Sequence, residues 1–244
     1  MIKKILVIIG LLLLGGYIVF AAFFFEKKPN EQVCGSFDIV VDADQEGRFV
    51  EIDELEKFID KQELNPYGKQ LKDVNTYDIQ EALLSNKLIK TAEVFITSGG
   101  GIRAVITERL PILRIMTAKG ENYYIDKEGE AMPVSNLNTA YLPIATGNIK
   151  EEFAKQDLHK FALFLQKDEF WNAQIEQIVV QSENDIILIS RVGDHQIEMG
   201  SLDNYESKLA KLKTFYDKVL TETGWNRYSK INLKYDKQVV GTKR

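Results

Sequence analysis

From Ile5 to Phe25 the chain runs for 21 residues without a charge, directly behind Met1-Ile2-Lys3-Lys4. At about 1.5 Å of rise per residue, a helix of that length spans roughly 30 Å, the hydrocarbon thickness of a bilayer. Lipid offers no partner to a free N–H or C=O, so a membrane-spanning run of this kind must be helical. Residues 1–4 are short and basic, whereas Glu26, Lys27 and Lys28 follow the other end. Short basic flanks stay on the cytoplasmic side. The pattern predicts a cytoplasmic tail over 1–4, a transmembrane helix over 5–25, a linker over 26–33 and the bulk of the chain outside the cytoplasmic membrane. Val19-Phe20-Ala21 also fits a signal-peptidase site, where cleavage would release a soluble protein. The apolar run continues through Phe23-Phe24-Phe25. It also exceeds the roughly 7–15 residues of a usual signal-peptide core, which favours a retained anchor.

About 220 residues remain, enough for one large or two small domains. The chain is 45% hydrophobic and 27% charged, an ordinary globular composition. A formal net charge of −5 argues against nucleic acid as a partner, which would require a basic face. Cys34 is the only cysteine, so no internal disulfide can form and stability must come from packing. Burial is the expected state of that thiol.

Two segments of different character follow the linker. Gly35 to Asp42 alternates as a half-buried strand. Ile52 to Lys61 has helical spacing with acids in its first turn, and Asn75 or Thr76 caps a second helix through Leu84. Ala92–Thr97 and Ile102–Glu108 flank Ser98-Gly99-Gly100-Gly101 as a hairpin. The order β-α-α-β-β defines one small α+β domain. Pro111 opens a second segment, with strands expected at Ile112–Met116 and around Tyr123-Tyr124-Ile125, the latter running into the turn Asp126-Lys127-Glu128-Gly129. Leu142-Pro143-Ile144 with Gly147 reads as an edge strand. A helix is expected over Glu151–Lys167, then strands at Ile175–Gln181, Asp185–Arg191 and His195–Met199, and a long helix over Asn204–Thr223 ended by Gly224. Tyr228–Tyr235 and Gln238–Gly241 close the chain.

Catalytic constellations are not apparent. Ser98-Gly99-Gly100-Gly101 lacks the Lys-Ser/Thr of a phosphate loop and lies between two strands. His159 and His195 fall on different elements without a cysteine or acid pair at ligand spacing, and read as solvated or satisfied polar residues. No serine has a lysine three residues later, and neither Lys-Thr-Gly nor Gly-x-Ser-x-Gly occurs. Asp126 with Glu128, and Glu183 with Asp185, are the carboxylate pairs to weigh for glycoside hydrolysis, but both sit beside turns. Glu151-Glu152 and Lys208, Lys211 and Lys213 read as solvated helix faces.

Four segments taken in order carry a resemblance. They are Val105-Ile106-Thr107-Glu108-Arg109-Leu110-Pro111, then Tyr124-Ile125-Asp126-Lys127-Glu128-Gly129, then Leu142-Pro143 with Gly147, and finally Ile231-Asn232-Leu233-Lys234-Tyr235-Asp236 followed by Val239-Val240-Gly241. Behind an N-terminal anchor, this set resembles the FtsQ/DivIB family of bacterial cell-division proteins over essentially the whole chain. The resemblance implies an α+β chain with a single transmembrane helix, a POTRA domain over 34–110, and a mixed β domain with two helices over 111–244. It implies a non-enzymatic divisome scaffold, without cofactor or metal, that recruits FtsB and FtsL and through them the septal wall synthases. The partner would join by strand addition at the C-terminal edge. Lys230–Val240 is the C-terminal strand region and alternates apolar and polar residues, with Ile231, Leu233 and Tyr235 on one side, and Lys234, Tyr235, Lys237 and Val239 are the expected partner-binding residues. The bland alternative for Tyr235 is a place in the core. The four-residue tail is shorter than is usual in the family and argues against a cytoplasmic contact such as one with FtsA. Lys234 stands where the family commonly has Arg. Two further readings remain open at this stage: a POTRA-bearing component of envelope transport, and a secreted cell-wall enzyme.

Overall fold

In a computed structural model of the chain, the described residues are Gly10, 12–20, 32–42, 49–135, Leu137 and 140–244. Gly10 and 12–20 are helical. The rest of the expected transmembrane helix, the tail over 1–4 and linker residues 26–31 lie outside the described residues. Among the described residues, no helix is long and apolar enough to cross a membrane. The chain divides into two compact units. The first comprises Met1–Val40, Ile52–Leu83 and Ala92–Ile106, and the second Val41–Glu51, Leu84–Thr91 and Thr107–Arg244.

The first unit holds all or most of β1 (Phe37–Val41), α1 (Ile52–Lys61), α2 (Thr76–Leu84), β2 (Ile89–Ile96) and β3 (Ile102–Glu108), with sheet order β1-β3-β2. This is the β-α-α-β-β order expected from the periodicity. α1 buries Leu55 and Ile59, and α2 buries Ile79 and Leu83. A short 3₁₀ turn over Leu71–Asp73, which the periodicity does not reveal, brings Leu71 against Cys34 and Ile102. Cys34 is buried, and its Sγ donates to the Ser36 carbonyl at 3.1 Å.

The second unit contains a nine-stranded sheet among the described residues. Its elements in chain order are β4 (Pro111–Thr117), β5 (Asn122–Asp126), β6 (Ala131–Pro133) and β7 (Ile144–Gly147). Next comes helix α3, made of Glu151–Phe153 and His159–Lys167 joined by a π-helical turn over Ala154–Leu158. The short helix α4 (Glu169–Gln174) leads to β8 (Ile175–Ser182), β9 (Asp185–Ser190) and β10 (Gln196–Gly200). Helix α5 joins Tyr205–Phe215 and Thr221–Thr223 through a second π turn, Tyr216–Leu220, before β11 (Tyr228–Asn232) and β12 (Val240–Lys243). α4 is a third helix where two were expected. Asp168 starts it by accepting the Trp171 N–H at 3.1 Å, a local cap inside a run that otherwise reads as loop.

The sheet order is β12-β11-β10-β9-β8-β7-β4-β5-β6. β7 is parallel to both β4 and β8, and β10 is parallel to β11. Because β8, β9 and β10 alternate in direction, β7, β8, β10 and β11 all run the same way. Parallel neighbours need a crossover, supplied here by α3 with α4 and by α5. Both crossovers step toward the β12 edge from strands of the same direction, so the fixed right hand of such connections puts the helices on one face. The core agrees: Phe161, Leu165 and Trp171 from the first crossover and Leu209, Leu212 and Tyr216 from the second share one cluster with Ile178, Leu188, Ile197 and Ile231 from the strands.

The expected edge strand at Ile144–Gly147 is instead interior. Pro143 precedes β7 and leaves the ladder intact. Gly147 permits the close approach of β8: at φ +112°, an added Cβ would sit 2.2 Å from the Val180 carbonyl oxygen.

Asp126 is fully buried at the end of β5. One carboxylate oxygen accepts the N–H groups of Glu128 at 3.0 Å and Glu130 at 2.7 Å, and the other accepts from Arg109 Nη1 at 2.7 Å. The first two motif segments therefore meet in space. Glu108, also buried, accepts the backbone N–H groups of Phe49 at 3.1 Å and Val50 at 2.9 Å. Breaking a buried ion pair by removing one partner costs about 3–5 kcal/mol, and the 25% exposure of the Arg109 side chain places this one near the lower figure. Asp126→Ala is expected to lower unfolding free energy by about 3 kcal/mol in urea titration, with Arg109→Ala close behind.

Candidate partner-docking edge

The last three elements define an edge. β11 is enclosed, with Gln196↔Lys230, Ile197↔Ile231 and Glu198↔Asn232 on one side and Lys230↔Thr242, Ile231↔Gly241 and Asn232↔Val240 on the other. β12 is terminal in the sheet. Its outer side carries no strand among the described residues, and Val240, Thr242 and Lys243 are exposed.

The two closing segments expected at Tyr228–Tyr235 and Gln238–Gly241 are strands, but the first ends at Asn232 and the second begins at Val240, with a loop, 233–239, between them. Ile231 and Leu233 are buried. Leu233 N–H donates to the Glu198 carbonyl at 2.9 Å, and the Asn232 side chain then accepts from the Lys234 N–H at 2.9 Å. That side chain-to-backbone bond turns the chain out of the ladder. Tyr235 consequently leaves the side shared by Ile231 and Leu233 and is 53% exposed, which removes the core reading of its ring.

Lys234, Tyr235, Lys237 and Val239 thus come together on one loop, though not on a strand. Lys234 Nζ lies 3.0 Å from the Asp185 carboxylate, and this hydrogen bond and charge raise its pKa above the ordinary lysine value. Lys237 is exposed, and Val239 is half-buried against the core. A residue that periodicity assigned to a solvated face anchors the loop: Lys211 of α5 donates to the carbonyls of Tyr235 at 2.7 Å and Asp236 at 3.1 Å. Lys208 likewise donates to the Ser201 carbonyl at 2.8 Å, and Lys213 Nζ sits 3.8 Å from the Phe170 ring centroid. Helical periodicity does not reveal these contacts, because their partners lie outside α5.

Ring packing fixes the strand pair. Tyr228 lies over Gly241 so closely that an added Cβ would sit 2.6 Å from two of its ring atoms. Lys230 Nζ and Asn232 Nδ2 reach the two oxygens of Glu198, at 3.1 and 2.7 Å. The carboxylates considered for hydrolysis have structural partners: Asp126 holds Arg109, Glu183 holds Lys150 at 2.8 Å, and Asp185 holds Lys234. His159 Nε2 is 2.9 Å from the Lys127 carbonyl. His195 is buried, with Nε2 2.7 Å from the Tyr216 hydroxyl. Among the described residues, no group of three or more His, Cys, Asp or Glu is placed to hold a metal ion.

Overpacking a filled site costs about 1–3 kcal/mol. Gly241→Val is expected to cost this much and to raise amide exchange in β12 while leaving β8 and β9 protected, as read by hydrogen–deuterium exchange.

Comparison with known proteins gives two family matches. Residues 110–242 match the model described as FtsQ/DivIB, C-terminal related, and residues 32–107 match a POTRA-like domain. Among solved structures, the chain is similar to the major extracytoplasmic domain of the trans isomer of the bacterial cell division protein DivIB from Geobacillus stearothermophilus. The identity is 11% and the TM-score 0.33, over 48% of this chain and 98% of that chain. No curated protein matches the sequence.

Proposed function

The chain belongs to the FtsQ/DivIB family of cell-division proteins, and from that membership we propose that it is a non-enzymatic divisome scaffold that captures an extended partner segment on β12. The observation that carries this reading is the terminal position of β12, beside a loop that presents an exposed tyrosine. An edge strand offers a row of unpaired N–H and C=O groups that another chain can complete, while neighbouring side chains select which chain. In this reading FtsB- and FtsL-like proteins are the partners, and Lys234, Tyr235, Lys237 and Val239 form the adjoining contact surface. Residues 5–25 anchor the protein in the cytoplasmic membrane, behind a cytoplasmic tail over 1–4 and ahead of a linker over 26–33. A POTRA domain over 34–110 and a β domain over 111–244 lie outside that membrane, at the division septum, where capture of the partner enables septal wall synthesis.

Truncating a hot-spot aromatic costs 2 kcal/mol or more of binding energy, roughly thirtyfold in Kd. Tyr235→Ala is expected to weaken capture of the extracytoplasmic segment of an FtsB-like partner by about that factor, with unchanged thermal unfolding. Normal affinity in a folded variant would remove Tyr235 from the site. In dividing cells, a fluorescent N-terminal fusion is expected to form a midcell band, and depletion to give filaments. Uniform peripheral signal with normal division would overturn the scaffold reading.

A further inference from the structure

His195 lies immediately before β10 and is 2% exposed. Its ring stacks on Trp225 with centroids 6.3 Å apart and meets the Tyr216 ring edge-on at 5.4 Å. Nε2 is bonded to the Tyr216 hydroxyl, and Nδ1 has no hydrogen-bond partner of good geometry among the described residues. The charged and titratable groups facing the ring come from three directions: Tyr216 from α5, Asp194 from the preceding turn, and Arg244 from beyond β12.

Arg244 connects this buried ring to the docking edge. Its Nη2 donates to the Asp194 carbonyl at 2.7 Å and lies 3.7 Å from the Asp194 carboxylate, while its N–H donates to the Arg227 carbonyl at 3.2 Å. The end of β12 is therefore tied to the turn that carries His195. The turn itself is held from below: Gln174 Nε2 and Ser190 Oγ each donate to the Val192 carbonyl at 3.1 Å.

We propose that His195 is an acid-sensitive latch on the C-terminal edge, holding the end of β12 through Asp194 and Arg244 while the ring is neutral and releasing it when the ring is protonated. This rests on the reading of β12 as the docking strand. A proton on the imidazole places a charge in an aromatic pocket whose neighbouring residue, Asp194, already holds the Arg244 guanidinium. Desolvation and like charge both oppose it, and the exposed Arg244 arm is the group free to move. Burial, with a smaller push from Arg244, lowers the His195 pKa below 6.5, against opposing pulls from the Trp225 backbone and Asp194. The folded state thus holds this proton less tightly than the unfolded chain. The stabilisation is whole above about pH 6.5 and is lost as pH falls through the lowered folded-state value. Histidine is the side chain suited to sensing that range.

The test is amide hydrogen exchange of the full chain in detergent micelles at pH 7.5 and 5.5, corrected for intrinsic rates. Protection of β12 is expected to fall about tenfold on acidification while β8 and β9 hold. His195→Gln keeps a polar partner for Tyr216 without titrating, and should show no such fall. Arg244→Gln leaves His195 in place and should show weak, pH-independent protection at the end of β12. A wild-type edge indifferent to pH, or an acid response that persists in both variants, would overturn the latch. Capture of an FtsB-like segment, measured in parallel, separates the two readings. Loss of capture at pH 5.5 that His195→Gln abolishes supports both. An opening edge with unchanged capture supports the latch and overturns the docking assignment.

Discussion

The buried carboxylate of Asp126 is the constraint around which the start of the second unit is arranged. A carboxylate with no exposure is tolerated only when its oxygens are hydrogen-bonded, and here two backbone N–H groups serve one oxygen and a guanidinium the other. The same contacts close the β5–β6 turn and hold Arg109 at the entrance to β4. With β4 and β5 in register, β7 can add in parallel to the free side of β4, and the rest of the sheet grows from β7 in one direction. Motif segments that look like separate landmarks in the sequence are one hydrogen-bonded assembly.

Growth in one direction has a consequence for the opposite edge. Both crossovers step the same way between parallel strands, so their common hand stacks α3, α4 and α5 on one face. α5 packs against β11 through Phe215 and Tyr228, and from it Lys211 holds the 233–239 loop by its carbonyls. β12 then returns antiparallel through that short loop, with no helix or further strand after it among the described residues. An uncovered edge is ordinarily a liability that proteins blunt with charge. Here Lys243 and Arg244 stand at its end, and Val240 and Tyr235 remain exposed.

Much of this was legible in the residues. The alternation in Asp185–Arg191 and the helical stripe of Phe153, Leu158, Phe161, Ala162 and Leu165 report burial directly, because each element buries one face against a single core. The four motif segments pointed to the family that the domain matches support. Edge and interior were not legible for β7: Pro143 and Gly147 look like edge signals, yet the proline sits just outside the ladder and the glycine admits a close neighbour. The break after Asn232 was also hidden, since apolar-polar alternation continues to Tyr235 while the Asn232 side chain diverts the backbone.

By itself, then, the sequence determined the uncharged run over 5–25, the β-α-α-β-β order, the helix faces and the family. These depend on periodicity and local chemistry, which act between residues a few positions apart. Only the tertiary structure decided which strand is terminal, that the chain leaves the ladder after Asn232 so that Lys234, Tyr235, Lys237 and Val239 share a loop, that Lys211 anchors it, and that Arg244 holds Asp194 beside the buried His195. The anchoring of the loop and the tie from Arg244 are set by pairings between residues 24 and 50 positions apart, from Lys211 to Tyr235 and from Asp194 to Arg244. Strand order and crossover hand bring such residues together, and no local pattern encodes them.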